Sequence, residues 1–255
     1  MSTTKASNES DDVDQSFRVL GVCGGIGSGK STACKLLVNS CNCLAHIDAD
    51  KVAHSVYAPG SQAVRDVVKE FGRDILVETT DNNNNDDDDE SFMEIDRNKL
   101  GAIVFAERSA MAKLEAIVWP HVKDRLFEEI KNIRESWDDD ASKQSSESKN
   151  KNNVIPVVVV EAAILLDAGW DDLLDGVWAV TVPREASLKR LVETRGLSPE
   201  EAQKRIDAQE SRRGIGSLKK EVEMGTVHCV VSNDGSMDAL KDTLQKSLSN
   251  PTCWR

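Results

Sequence analysis

The stretch Gly24-Gly25-Ile26-Gly27-Ser28-Gly29-Lys30-Ser31, with Thr32 next, puts four glycines, a lysine and hydroxyl side chains in one unbroken run. It satisfies G-x-x-x-x-G-K-[ST] in full. Glycines let a backbone curl until its N–H groups converge on phosphate oxygens. The lysine of such a loop, here Lys30, reaches the β- and γ-phosphates, and the next hydroxyl, Ser31, can ligate Mg²⁺. Gly24, Gly27, Ser28, Gly29, Lys30, Ser31 and Thr32 are thus the expected cradle for a nucleoside triphosphate. The motif alone does not name the reaction.

Three classes of protein use this loop. A switch GTPase also needs D-x-x-G and N/T-K-x-D. No aspartate here has glycine three residues on, and neither Asn98-Lys99 nor Asn150-Lys151 leads to an aspartate at the required place. A mechanical ATPase usually ends an apolar strand in two acids, whereas residues 157–160 run into Glu161 alone. A small-molecule kinase remains, with ATP and Mg²⁺ as its donor.

A kinase needs an acceptor side. Residues 44–47 lead into Asp48-Ala49-Asp50. A carboxylate at the carboxyl end of a parallel strand faces the ligand crevice, where it could orient a hydroxyl and take its proton. Capping the following helix is an equal alternative, most naturally for Asp48. Glu161 and Asp167 flank another strand end and could hold metal-bound water or fix an acceptor loop. Asp167 reads equally well as an ordinary loop acid. Residues 184–220 hold ten basic side chains against six acids. Two basic helices closing over a triphosphate would explain that, since a kinase must exclude water and neutralise transferring charge.

These groups need a scaffold. Apolar, β-branched runs at 17–23, 44–47, 154–160, 177–182 and 227–232 are nearly continuous rather than alternating, as strands buried on both faces are. Helix-period segments lie between them, among them 30–40, 61–71, 97–118, 120–134, 184–194 and 198–212. Ser198-Pro199-Glu200-Glu201 is a helix start, with a capping serine, proline in the first turn and acids at the positive end. Strand and helix in alternation give an α/β fold, a doubly wound parallel sheet of about five strands of the P-loop NTPase type, with a helical acceptor-side region and a helical lid.

The chain has 255 residues, 39% hydrophobic and 30% charged, with a formal net charge of −12. That is enough apolar material for one core. Few aromatics (4%) argue against a stacking platform for single-stranded nucleic acid. An acidic chain is a poor partner for nucleic acid or a membrane surface, and no apolar run is long enough for a membrane span. The whole net charge sits in residues 1–14, 81–90 and 138–140. They are read as an acidic tail over 1–16 and disordered acidic insertions near 78–92 and 136–153 of a kinase domain spanning 17–250. Six cysteines without a C-x-x-C pair are read as reduced thiols. With no apolar or Arg-rich leader at the start, a cytoplasmic location is expected, mitochondrial association being left open.

Taken in order, LGVCGGIGSGKST (20–32), HIDADKVAH (46–54), YAPGSQA (57–63), FGRDIL (71–76), DRNKLGAIVF (96–105), EAAILLDAGW (161–170), RGLSPEEAQKRIDAQ (195–209) and VVSNDG (230–235) resemble the dephospho-CoA kinase family. YAPG, IVWP (117–120) and AAILLDAGW are similar to its eukaryotic type, as in the kinase domain of bifunctional CoA synthase. No adenylyltransferase domain is expected ahead of the first strand at residue 17. The resemblance implies ATP-dependent phosphorylation of the ribose 3′-hydroxyl of dephospho-CoA, giving coenzyme A.

It further implies that Asp50, the second acid of D-A-D, is the acceptor base. Arg97 matches a substrate-side arginine, Arg205 and Gln209 match the lid pattern R-x-x-x-Q and are expected to bind substrate, and Asn233 lies near the nucleotide base. The family pattern R-x-x-R-D-G-L-S is altered here. Residues 190–198 place Thr194 at its second arginine and Arg195 at its aspartate. Arg195 is therefore expected to act as a displaced lid arginine. Another P-loop kinase for a nucleoside or nucleotide, or a catalytically weakened CoA-binding relative, are the alternatives.

Overall fold

A computed structural model describes residues 17–77, 93–143 and 155–255. The tail at 1–16, the insertion at 78–92 and residues 144–154 of the second insertion lie outside the described residues.

Five strands form one all-parallel sheet: β1 (Arg18–Gly24), β2 (Ala45–Asp48), β3 (Val157–Glu161), β4 (Gly176–Thr181) and β5 (Cys229–Ser232). Their order is β2-β3-β1-β4-β5. Each matches one of the apolar runs, with ends moved by up to three residues. The sheet has a core on each face because side chains alternate along a strand. Val158 and Val160 of β3 join one core with Val19, Cys23, Ile47, Val177 and Ala179. Val157 and Val159 join the other, with Leu20, Val22, Trp178, Val180 and Val231. That two-sided burial is why the strands read as unbroken hydrophobic runs.

Helices α1 (Lys30–Cys41) and α9 (Met237–Leu248) cover the second face with Leu37, Leu240 and Leu244. Each such fully buried side chain is worth about 1.5–3 kcal/mol. The other face carries α2 (Ala49–Ser55), α3 (Gln62–Phe71), α4 (Arg97–Ala106) and α5 (Arg108–Lys143). Helices α6 (Arg184–Arg195) and α7 (Pro199–Glu210) make a hairpin with its own small core of Leu191, Ala202 and Ile206. The helix start at Ser198 is as expected. Ser198 Oγ accepts from Glu201 N at 3.2 Å, and the Glu201 carboxylate accepts from Ser198 N at 3.2 Å. A short helix, α8 (Leu218–Glu223), precedes β5.

Two expectations need correction. The segments 97–118 and 120–134 do not meet at Pro120. The break falls at Glu107, whose backbone is extended, and α5 then runs 36 residues straight through Pro120. Proline inside a helix forfeits a hydrogen bond and crowds the preceding turn. Here Val118, Val122 and Leu126, on either side of it, are buried in the core, and their packing holds the helix together. No glycine or proline marks the true break; α4 turns back there to lie on α5. The second acidic insertion is also not irregular from its start, since α5 carries residues 136–143 as helix. No helix among the described residues is long and apolar enough to cross a membrane.

Candidate active site

The phosphate loop leaves the end of β1 and enters α1. Gly27 and Gly29 have φ of 75° and 90°, left-handed values that side chains disfavour. At Gly29 a Cβ would also sit 2.2 Å from Asn233 Nδ2. The loop carbonyls are tied from outside. Asn233, buried just after β5, donates Nδ2 to Ser28 O at 2.7 Å. Arg190 of α6 donates Nη1 to Gly27 O (3.2 Å) and Ser28 O (3.3 Å), and Nη2 to Asn233 O (2.8 Å). Ser187 Oγ donates to Ile26 O, and Gln209 Oε1 accepts from Ile26 N. Lys30 Nζ folds onto Gly24 O (2.9 Å) and Gly25 O (3.2 Å).

With Ile26 N spent on Gln209 Oε1 and Ser28 N on Gly25 O, the N–H groups left for an anion lie at the loop's junction with α1. Helix α1 has no side-chain cap, whereas α2, α3, α4, α7 and α9 are each capped by Asp or Ser. The first-turn N–H groups of α1, from Lys30 through the half-buried Thr32, have no intrahelical partner, and the helix dipole favours negative charge there. Ser28 Oγ is buried with no hydrogen-bond partner. A buried polar atom without a partner is costly, and an incoming oxygen would satisfy it. These features fit a polyphosphate. A cavity of about 120 Å³ opens beside the loop, bounded by Gly25, Val180, Thr181, Ile206 and Gln209.

On the other side of Lys30, Ser31 Oγ donates to Glu161 Oε1 at 2.6 Å, and His46 Nε2 meets Glu161 Oε2 at 3.0 Å. Burial pushes the Glu161 carboxyl up. The hydrogen bonds from His46 and Ser31, with the nearby charge of Lys30, outweigh it and leave Glu161 below its ordinary value. Burial lowers Lys30, with Glu161 and Asp50 opposing the shift and Arg195 reinforcing it. A hydroxyl hydrogen-bonded to an ionised carboxylate, at the foot of the phosphate loop, is an oxygen donor set that suits hydrated Mg²⁺.

Asp48 and Asp50 divide their work. Asp48 Oδ1 accepts from Asp50 N (3.1 Å) and Lys51 N (3.4 Å), so it caps α2. Asp50, an exposed residue whose carboxyl is partly covered by protein, stands in the first turn. The protein around it, and then the negative Asp48, raise its pKa, while Lys30 pulls the other way. Lys30, Glu161 and Asp50 are thus one electrostatic unit. Arg97 begins α4 and puts Nη1 2.6 Å from His54 Nδ1 near the end of α2, its guanidinium 5.7 Å from the centre of the Tyr57 ring.

The model of the dephospho-CoA kinase family matches residues 18–238. The chain belongs to that family. A dephospho-CoA kinase of Geobacter sulfurreducens is 32% identical over 230 residues, 90% of this chain and 96% of that protein. One from Arabidopsis thaliana is 31% identical over 241 residues, 93% of this chain and 87% of the relative. A crystal structure of a Thermus thermophilus protein superposes with a TM-score of 0.59 at 26% identity, covering 91% of this chain and 97% of that one.

Set against the family pattern, the residues fall into three groups. Gly24 to Thr32, Asn233 and Gln209 converge on the phosphate loop. Gln209 therefore meets the donor loop and not the acceptor elements. Arg97 and Asp50 lie at opposite ends of α2. Arg195 ends α6 exposed, yet its charge is felt by Lys30; Arg205 is exposed on α7. Arg190, Ser187 and His46 were not expected at the site. His46 had a local signal, since it shares a strand face with Asp48, the residue in register with Glu161. Arg190 and Ser187 had none, because their phosphate-loop partners are more than 160 residues away.

Proposed function

We propose that the chain transfers the γ-phosphoryl group of ATP to the 3′-hydroxyl of the dephospho-CoA ribose. The observation that carries this reading is the division of the two aspartates: Asp48 is consumed by its cap, while Asp50, in the first turn of α2, keeps its carboxyl within the electrostatic reach of Lys30.

The transferring group needs positioning and neutralisation more than covalent help. The loop N–H groups and Lys30 hold the β- and γ-phosphates, with Ser28 Oγ as an additional donor. Ser31 would hold Mg²⁺ with Glu161 fixing its water, and the ion supplies charge neutralisation. Asp50 accepts the ribose hydroxyl proton as the oxygen–phosphorus bond forms and the γ-phosphorus to bridging oxygen bond breaks. A raised pKa makes Asp50 a stronger base than a free aspartate. Arg195, at the open end of α6, contributes positive charge to the transferring phosphoryl, and Arg97 binds the anionic part of the acceptor. The α6–α7 hairpin limits access of water; Arg184 pairs with Asp207 and Glu210 to hold its two helices together.

The test is ADP release from ATP and Mg²⁺ with dephospho-CoA, beside a reaction without acceptor and reactions with nucleosides. Turnover with dephospho-CoA alone supports the reading. Turnover only with a nucleoside, or ATP binding with no transfer, would sink it.

A further inference from the structure

Cys34, in the second turn of α1, is fully buried and has no part in the chemistry above. Its Sγ, His46 Nε2 and a carboxylate oxygen of Glu161 lie within 4.8 Å of one another. These residues come from three elements, α1, β2 and β3, so the cluster is a product of the fold. Thiol, imidazole and carboxylate together suit a borderline-soft cation, whereas Mg²⁺ takes oxygen. We propose that Cys34, His46 and Glu161 bind a zinc-class divalent cation, and that its occupancy disarms the donor site by engaging through Oε2 the carboxylate that holds Ser31 through Oε1.

Zinc bonds sulfur at about 2.3 Å and nitrogen or oxygen at about 2.0–2.2 Å, which places tetrahedral donor atoms roughly 3.3–3.6 Å apart. His46 and Glu161 are already within 3.0 Å. Bringing Sγ into the set takes a movement of about 1 Å to satisfy those bond lengths, a matter of side-chain rotation. The charges balance as well. On binding, the S–H bond of Cys34 breaks, its proton leaves to solvent and a metal–sulfur bond forms. Thiolate and carboxylate then neutralise the cation. Access is on the His46 side, where the side chain keeps 22% exposure and lines a cavity of about 280 Å³ beside β2. A water from that side would complete four-coordination.

The consequence for turnover rests on the kinase reading; the binding does not. Co²⁺ is the probe, titrated into the full chain after treatment with a chelator. We expect one Co²⁺ per chain, a thiolate-to-cobalt charge-transfer band, and loss of the band on adding Zn²⁺. Cys34→Ala should abolish the band and weaken Co²⁺ binding by at least about 100-fold, since even outer-shell losses cost 10–100-fold. Its circular dichroism should match the unsubstituted chain. His46→Gln gives a second, independent loss. In parallel, Zn²⁺ should inhibit ADP release at saturating Mg²⁺, and Cys34→Ala should keep its basal rate while needing at least about 100-fold more Zn²⁺. No band, or an undiminished band in Cys34→Ala, overturns the site. A band without inhibition overturns the switch. A band in a chain inactive on dephospho-CoA supports the site and counts against the kinase reading alone.

Discussion

The donor and acceptor halves of the crevice are built differently. On the donor side, residues from β5's exit, α6 and α7 reach the phosphate loop, and Asn233, Arg190, Ser187 and Gln209 tie down its backbone. On the acceptor side, Asp50 and Arg97 are exposed, and they stand on helices of seven and ten residues. A triphosphate is the same in every turnover and can be met by a rigid cradle, where preorganised donors cost no rearrangement during reaction. The acceptor groups are open to solvent, so binding of the acceptor itself must complete their surroundings. Donor-side substitutions should therefore split into those that remove charge and those that loosen the loop. Acceptor-side substitutions should change chemistry with little effect on stability.

Lys30→Met tests the charge. Its removal should lower kcat by about 10³-fold or more, the upper range for one preorganised electrostatic group. The melting temperature should hold, because burying Lys30 is itself unfavourable to its charge. Near-normal kcat in the folded variant would end the donor-side account.

Arg195→Ala and Arg190→Ala separate two arginines of one helix. Arg195→Ala should cost roughly 10³-fold in kcat, as loss of a transition-state arginine does, with the KM for ATP little changed. Arg190→Ala should raise that KM and lower the melting temperature, since Gly27 O and Asn233 O lose the Arg190 donor and Ser28 O is left with Asn233 Nδ2. The reverse split would make Arg190 the catalytic one.

Asp50→Asn should lower kcat about 10²–10⁴-fold, the usual worth of a general base, while ATP affinity stays. The acid limb of the pH–rate profile should vanish with it. A larger drop for Asp48→Asn would reverse the assignment.

The smallest effects concern stability. Asp48→Ala loses the cap of α2, worth about 1 kcal/mol and a fall of roughly 2–4 °C in melting temperature. Asp50→Ala should do the opposite. Its folded pKa is raised, so the folded chain binds the proton more tightly than the unfolded one. Stability then falls as pH rises from the ordinary aspartate value through the raised one, and removing Asp50 relieves that cost at neutral pH. The gain should disappear in melts below the ordinary aspartate value. An Asp50→Ala variant less stable than Asp48→Ala at pH 7 would contradict the division of the two.

Much of the donor side was readable because its chemistry is contiguous. Nine consecutive residues carry the loop and the first turn of α1, and local backbone geometry does the rest. The five strands were legible for a related reason: burial on both faces leaves an unbroken apolar run. Sequence alone therefore determined the sheet, the phosphate site and, through the ordered motifs, the family. Residue type alone could not choose between Asp48 and Asp50, since both suit a cap and both suit a base; the ordered motif pointed to Asp50 as the base. Only the start of α2 at Ala49 showed which one caps, by turning the Asp48 side chain back onto the helix N–H groups. Nor could the sequence find the break at Glu107, where good helix formers run on both sides and the packing of α4 on α5 demands a turn. The pairing of Ser31 with Glu161, the clasp of Arg190 on the loop, and the meeting of Cys34 with His46 were likewise tertiary outcomes. Each joins residues from different elements, most of them more than a hundred positions apart, and no local rule of spacing or propensity can rank such pairs before the parallel sheet brings the carboxyl ends of its strands to one crevice.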